Sequence, residues 1–465
     1  MDDDQLRKEL DEIVKGDVTF LGAHSPDDLH DESLHVRPRE PFAVVRPQST
    51  EEVARLVRWA TRHAIPVTPR GSGTGLSGGA VPVNGGLVVC FDQMRDVVHL
   101  DVRDHVVVVQ AGITLRELNE RLRGSGLQYP VYPGELSGSL GGNVNTNAGG
   151  MRAVRHGVTR QHVLGLEAVL MDGTVISTGG PVMKSSSGYD LTQLIVGSEG
   201  TLALVTEVTL RLSPVFEHSA TMLVPFSDLH AVATVVPTLI SSGLMPSLLE
   251  YLDVLTMASL AKGTDLQLGV DAKVADATTA YLIVVLETRT AAQLEADLAV
   301  AANLVTQAGA LDVYVLQGAS ATKLIEARER AFWFSKAAGA HEIIDVVVPR
   351  SAVPLFLDRV SELAKDFDAF VAGCGHVGDG NVHMAVFQPD DVKRDALLLE
   401  LFRAGVALGG AVSGEHGLGI DKRGPYLALA DPALVDLQRK IKHVFDPLNL
   451  LNPFRHLDAR NDPLL

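Results

Sequence analysis

Pro69-Arg-Gly-Ser-Gly-Thr-Gly-Leu-Ser-Gly-Gly-Ala80 is the stretch on which the fold turns. Five of its twelve residues are glycine. Without Cβ atoms, Gly71, Gly73, Gly75, Gly78 and Gly79 can take positive φ and turn successive N–H groups toward an anion. The expected ligand is a phosphate-bearing cofactor. Gly73, Gly75 and Gly78 also fit the GxGxxG dinucleotide fingerprint, which requires a helix to open directly from the loop. Pro82, Gly85 and Gly86 follow instead, then the apolar run Leu87 to Phe91, which reads as a turn and a strand. The loop therefore reads as a cradle of another kind, entered by a strand at Ile65 to Thr68 with Arg70 at its mouth.

Working outward, 465 residues at 46% hydrophobic and 21% charged composition imply two or three soluble, well-cored domains. A net charge of −17 and a pI near 5.4 argue against nucleic acid and anionic membrane as partners and leave room for a basic redox partner. The two cysteines, Cys90 and Cys374, lie far apart in apolar or glycine-rich surroundings, which fits buried fillers in a reducing compartment. Met1-Asp-Asp-Asp-Gln-Leu has no leader pattern, and no run of eighteen apolar residues occurs. The expectation is a cytoplasmic chain with no transmembrane span.

Residues 1–37 read as a tether with a short amphipathic helix. Phe42 to Val45 is a strand, and Ser49 with Glu52 forms a capping box for a helix that buries Val53, Leu56, Val57 and Ala60. Thr114 with Glu117 caps a second helix, which ends at Gly124 and Gly126. Pro133 to Met151 is too rich in Gly and Asn for an ordinary helix or strand and is expected to line the same ligand. A hairpin turns at Asp172-Gly173, and Leu202 to Leu212 alternates with period two. From about residue 218 the glycine loops stop and two strand–helix–strand units follow, which predicts an antiparallel, ferredoxin-like sheet with helices on one face. The overall expectation is an α+β chain divided at 1–37, 38–216, 217–408 and 409–465.

Gly375-His-Val-Gly-Asp-Gly-Asn-Val-His383 sets two histidines around an Asp-Gly/Gly-Asn turn. With Glu415, in Ser413-Gly-Glu-His-Gly-Leu-Gly419, they make a His, His, carboxylate set suited to a divalent metal with open positions. The other reading is a tight hairpin whose Asp379, Gly380 and Asn381 serve only the turn. His416, adjacent to Glu415, points elsewhere and is free to act as a base near neutral pH. Arg328 offers the planar fork of a carboxylate clamp, or a surface ion pair. Arg70, His156, Arg160 and Lys184 are candidates without a spacing argument.

These stretches, with Gly197-Ser-Glu-Gly-Thr-Leu202 and Asn452-Pro453, occur in the order found in one family. The chain resembles the FAD-linked oxidases of the vanillyl-alcohol oxidase superfamily, in the branch of D-lactate, glycolate and D-2-hydroxyglutarate dehydrogenases. The resemblance covers nearly the whole chain. It implies a two-subdomain PCMH-type FAD-binding domain, a cap over the flavin and a carboxy-terminal segment returning to the cofactor. FAD would be held by Arg70, Gly71, Ser72, Gly73, Thr74, Gly75 and Leu76, and by Pro133, Gly134, Ser139, Gly141, Gly142, Asn143, Thr146, Asn147, Gly149 and Gly150. Gly157, Glu199, Gly200 and Asn452 complete the implied set. His376, His383 and Glu415 would ligate Zn, Mn or Fe, with His416 as base and Arg328 as clamp. Thr74 replaces the histidine of members that attach flavin covalently, so FAD is expected to be non-covalent. Ile343 replaces a lysine of members that oxidise D-2-hydroxyglutarate, so a short D-2-hydroxy monocarboxylate is expected. Arg455 replaces a lysine and keeps its charge. The implied function is oxidation of a D-lactate- or glycolate-type acid to the 2-keto acid. The alternatives are a D-2-hydroxyglutarate dehydrogenase and a non-catalytic flavoprotein subunit of an oxidase complex. An electron-transfer flavoprotein, a quinone or a cytochrome as acceptor, and a homodimer, stay open.

Overall fold

The computed structural model describes residues 3–264, 266 and 268–453; Arg455 lies outside them. The strand Val67–Arg70 leads into the glycine loop and pairs in parallel with Leu87–Cys90, Val67 opposite Leu87 and Arg70 opposite Cys90. Parallel neighbours need a crossover of a dozen or more residues, usually a helix. Here the glycine loop is itself the crossover, so no helix opens from it. The two strands belong to a four-stranded sheet completed by Ala43–Val45 and Val18–Phe20.

That last pairing corrects the expectation of a tether. Val18–Phe20 runs antiparallel to Ala43–Val45, and the helix Asp3–Ile13 buries Leu10 completely in the first core. The capped helix Thr50–Arg62 buries Val53, Leu56, Val57 and Ala60 as its spacing requires. Only half of its capping box forms. Ser49 Oγ accepts from Glu52 N, but the Glu52 carboxylate accepts from Gln48 N at 3.0 Å. The box at Thr114 and Glu117 is complete and starts the helix Leu115–Leu122.

The second glycine-rich stretch holds a helix that the residue types argue against, Leu140–Thr146. Ser139 Oγ caps it by accepting from Gly142 N at 3.3 Å, and Asn147 ends it in a left-handed conformation. Tertiary contact overrides the poor propensity. Gly141 N donates to Ala111 O at 2.7 Å, an approach possible because Gly141 has no Cβ to meet the Ala111 methyl at 2.7 Å. The helix thus docks its first turn on the five-stranded sheet that ends the first half.

The second half is built on a seven-stranded antiparallel sheet. Its order is Tyr314–Leu316, His218–Phe226, Ala280–Thr288, Leu248–Asp253, Phe370–His376, Asn381–Phe387 and Glu342–Val347. The first four strands follow the ferredoxin-like order, and the other three extend that sheet. Alternation divides the side chains between two faces. Met222, Val224, Leu282 and Val284 join the core beneath the helices Leu229–Ser241, Ala291–Gln307, Val353–Asp366 and Asp391–Ala407. Leu223, Leu252, Tyr281 and Ile283 face the other way, against Met257, Leu260 and Leu324. Helices therefore lie on both faces, because the unanticipated helix Val254–Thr264 and the helix Ala319–Glu329 cover part of the second.

The last segment returns to the first half. Val67 N donates to Leu450 O at 2.8 Å, Asn452 N donates to Val67 O at 2.7 Å, and Leu450 and Leu451 join the first core. Among the described residues no helix is long and apolar enough to cross a membrane.

Candidate active site

The two glycine-rich stretches and the open face of the large sheet meet around one cavity, with about 2070 Å³ of atom-free space including its mouth. From the first loop it is lined by Arg70 through Ser77, and from the second by Pro133, Gly134, Ser139, Gly141, Gly142, Asn143, Thr146 and Gly149 among others. Glu199 and Gly200 also line it. A Cβ on Gly71 would stand 2.1 Å from Ser139 Oγ, so the two loops meet almost backbone to backbone. Asn143 is buried in this wall, and its amide nitrogen has no protein partner. Bare backbone and an unpaired donor along a cavity of this size fit a phosphate-bearing dinucleotide.

On the opposite wall the sheet register assembles the metal-type set. His376 ends one strand of the hairpin and His383 sits on the other, opposite Cys374 and Asp345. The two histidines are diagonal neighbours on one face, their ring centroids 4.8 Å apart at 81°. Glu415 arrives from the returning segment, with Oε2 3.4 Å from His376 Nε2 and 3.8 Å from His383 Nε2. One ligand atom from each of the three lies within 4.8 Å of the others. A Cβ on Gly149 would come 2.9 Å from Glu415 Oε1, so this set adjoins the glycine cradle.

Glu250, which the sequence reading missed, fixes the orientation of His376. Fully buried on Leu248–Asp253, it accepts from His376 Nδ1 at 2.7 Å and leaves Nε2 facing Glu415. Such outer carboxylates set the tautomer and basicity of a ligating histidine. Burial disfavours charge on His376, but Glu250 and Glu415 outweigh it and hold the imidazole well above its ordinary pKa. The two carboxylates that face His376, Glu250 fully buried and Glu415 partly so, mark a place suited to a cation. His383 is pushed the other way by burial and by His376 and His416, which leaves a neutral lone pair.

Asp345 organises the loop that carries Glu415 and His416. Its Oδ2 accepts from Gly414 N, Glu415 N and His416 N at 2.8, 2.6 and 3.1 Å, and its carboxylate pairs with buried Lys422. Burial alone would raise its pKa, but the His416 ring when protonated, and the Lys422 ammonium, hold the carboxyl well below the usual range. His416 Nδ1 lies 3.4 Å from Asp345 Oδ1, and the ring stacks on His383 at 5.3 Å and 16°. Burial, partly offset by Asp345, holds the His416 imidazole below its ordinary pKa, as a neutral proton acceptor.

His376, His383, Glu415, His416 and Arg328 all line the cavity. Arg328 is buried, and its Nη2 is ion-paired with Glu250 Oε2 at 2.8 Å, while its Nε has no hydrogen-bond partner among the described residues. Other candidates sit differently, though Arg70 stays on the cavity lining. Arg70 turns its guanidinium back onto the carbonyls of His30, at 2.7 Å, and Asp27, locking the amino-terminal approach under the loop. Asn147, Gly150, Gly157 and Asn452 stand behind the cavity wall, where they shape the backbone. Asn147 caps the helix and accepts from Arg160 N, Gly150 packs on Tyr132 O, and Gly157 turns against Gln161. Asn452 Nδ2 donates to Gly79 O and Glu199 O. His156, Arg160 and Lys184 do not line the cavity. The signal for Glu250 was present, as a lone carboxylate in the buried run Leu248-Leu-Glu-Tyr-Leu252, where an unpartnered charge is prohibitive.

Residues 216–455 match the model for FAD linked oxidases, C-terminal domain, and residues 41–179 match an FAD binding domain. The chain is 50% identical to an uncharacterized FAD-linked oxidoreductase of Mycobacterium tuberculosis, over 97% of this chain and 98% of that one. It is 36% identical to a D-lactate dehydrogenase of Archaeoglobus fulgidus, covering 90% and 91%, and 34% identical to the glycolate oxidase subunit GlcD of Bacillus subtilis, covering 89% and 88%. Its fold matches p-cresol methylhydroxylase with a TM-score of 0.78 at 17% identity, over 99% of this chain and 98% of that one. With a cofactor cradle of this form and relatives aligned nearly end to end, the chain belongs to the FAD-linked oxidases, an oxidoreductase family whose members similar to it are named D-lactate dehydrogenase, glycolate oxidase subunit and D-2-hydroxyglutarate dehydrogenase.

Proposed function

We propose that the protein oxidises a D-2-hydroxy monocarboxylate, of the D-lactate or glycolate type, to the 2-keto acid, in the cytoplasm. The work is divided between residues 38–216, which hold FAD without a covalent bond, and residues 217–408 with the returning segment 409–465, which hold substrate. The observation that carries the reading is that His376, His383, Glu415, His416 and Arg328 line the same cavity as both glycine loops. FAD held by the glycine loops would supply a two-electron acceptor for the α-hydrogen with its bonding pair, and a divalent ion held by His376, His383 and Glu415 would supply Lewis-acid polarisation of the hydroxyl.

The chain's own residues then bind and move one proton. Arg328 offers its Nε donor to the substrate carboxylate, with Glu250 holding the guanidinium in place through Nη2. Asp345 faces Nδ1 of His416, which favours a proton there and leaves Nε2 as the acceptor for the hydroxyl proton. Loss of that proton and of the α-hydrogen with its electron pair converts the C–O bond into the carbonyl of the 2-keto acid. Ile343 lines the cavity where a lysine would be needed for a second carboxylate, which favours a monocarboxylate. A non-catalytic subunit would have no use for the four-residue set, whose retention supports an enzyme. The test is a panel of D- and L-2-hydroxy acids offered to FAD- and metal-loaded protein with a dye acceptor. D-monocarboxylates are expected to be oxidised and D-2-hydroxyglutarate to be a poorer substrate; failure to oxidise any 2-hydroxy acid defeats the reading.

A further inference from the structure

Strand register rules the cavity face of the seven-stranded sheet into rows. His383 stands in the row Cys374, His383, Asp345, and the next row outward is Ala372, Ala385, Ile343. Two residues along a strand span about 7 Å, so this second row begins roughly one side-chain length beyond the metal-type set. All three of its residues line the cavity. Two alanines leave a shallow trough and Ile343 walls it. From the helix Ala331–Ala337, Phe332 and Trp333 line the cavity as well.

None of these five side chains carries a charge. Among the described residues, the lysine and arginine side chains that line the cavity are Arg70 and Arg328, the first tied to backbone carbonyls and the second ion-paired with Glu250. Lys336, on the same helix as Trp333, is paired with Glu32 at 3.0 Å. Glu32, Glu135 and Glu329 add negative charge to the wall. A second substrate carboxylate would therefore lose water without gaining a free cation. An aliphatic chain would instead exchange water for methyl and aromatic surface.

We propose that the row Ala372, Ala385, Ile343 is the side-chain subsite, and that the substrate class is 2-hydroxy acids with an uncharged aliphatic chain longer than the single methyl of lactate. This rests on the reading of the site given above. The test uses the holoenzyme with glycolate, D-lactate, D-2-hydroxybutyrate, D-2-hydroxyhexanoate and D-2-hydroxyglutarate. Binding of the matching 2-oxo acids is read in parallel by the change in flavin absorbance. From lactate onward, kcat/KM is expected to rise roughly fourfold per methylene in the monocarboxylate series. Ala385→Phe, which fills the trough, is expected to lower the hexanoate-to-lactate ratio by about tenfold. Ala372→Leu is the second variant should the first fail to fold. A flat or falling series, with lactate oxidised, overturns the subsite and leaves the proposed reaction standing; highest kcat/KM with D-2-hydroxyglutarate overturns the subsite and the monocarboxylate preference together. If no acid is oxidised but 2-oxohexanoate binds more tightly than pyruvate, the subsite stands and the reaction falls. If neither turnover nor length-dependent binding is seen, both are overturned.

Discussion

At His416 the imidazole faces Asp345 through Nδ1, while Glu415, one residue earlier, turns toward His376 and His383. Neighbours in sequence thus carry separable roles. His416→Asn keeps the size and polarity of the ring without an acceptor that titrates near neutral pH. Flavin reduction in stopped flow is expected to fall by about 10²-fold or more while bound FAD and metal stay unchanged. His376→Asn is expected to lower metal content in elemental analysis, because a ligand and its Glu250 support are lost together. Near-normal reduction in the first variant would mean that water or another residue takes the proton. The cysteines give a contrasting case of chemistry suppressed by burial. Burial pushes the Cys90 thiol up to about 12, and that of Cys374 is also raised. The reactive thiolate is therefore scarce at pH 8. Neither cysteine is expected to react with a thiol reagent in the native protein at that pH, and both are expected to react after unfolding; rapid native labelling would contradict the burial argument.

Among the elements, the helix Leu140–Thr146 shows most clearly what local sequence fails to announce. Gly141 and Gly142 disfavour a helix in isolation, yet Gly141 alone lets the first turn approach Ala111. Gly141→Ala would improve intrinsic propensity while driving a methyl to 2.7 Å from the Ala111 Cβ and 2.9 Å from its carbonyl oxygen. The helix should shift off the sheet, moving Asn143 and Thr146 in the cavity wall. The expected outcome is a lower flavin-to-protein ratio after gel filtration and a loss of about 1–3 kcal/mol in denaturant unfolding. Unchanged flavin content would show that the seam between the loops is looser than its contacts imply. The hairpin Phe370–Phe387, by contrast, was legible from its Asp-Gly/Gly-Asn turn, and its register brings His376 and His383 together without further help.

Across the whole molecule, the site exists because the returning segment is stitched to both halves. Glu199 accepts from Leu418 N and Gly419 N at 2.8 and 2.7 Å, and Asp345 gathers the loop from Ser413 to His416. Two outcomes belong to this scale. FAD is expected to leave with acid or heat denaturation, because Thr74, on the cavity wall, lacks a nucleophilic ring nitrogen; flavin retained on the denatured polypeptide would refute it. Chelation is expected to lower turnover and a divalent ion to restore it, checked by elemental analysis; full activity of metal-free protein would remove the ligand assignment. The sequence by itself determined what depends on local chemistry. The glycine loop, the capped helices, the alternating strands, the hairpin histidines and the Glu415-His416 pair were all readable, because turn residues, caps and period-two patterns act over a few residues. Only the tertiary structure decided what depends on distant backbone. It placed Glu250 behind His376, drew Asp345 under the Glu415 loop, tied the Arg70 guanidinium to the carbonyls of His30 and Asp27, and set Ala372, Ala385 and Ile343 in one row. Each of these is fixed by sheet register or chain return between residues far apart in sequence, where no local spacing reports the contact.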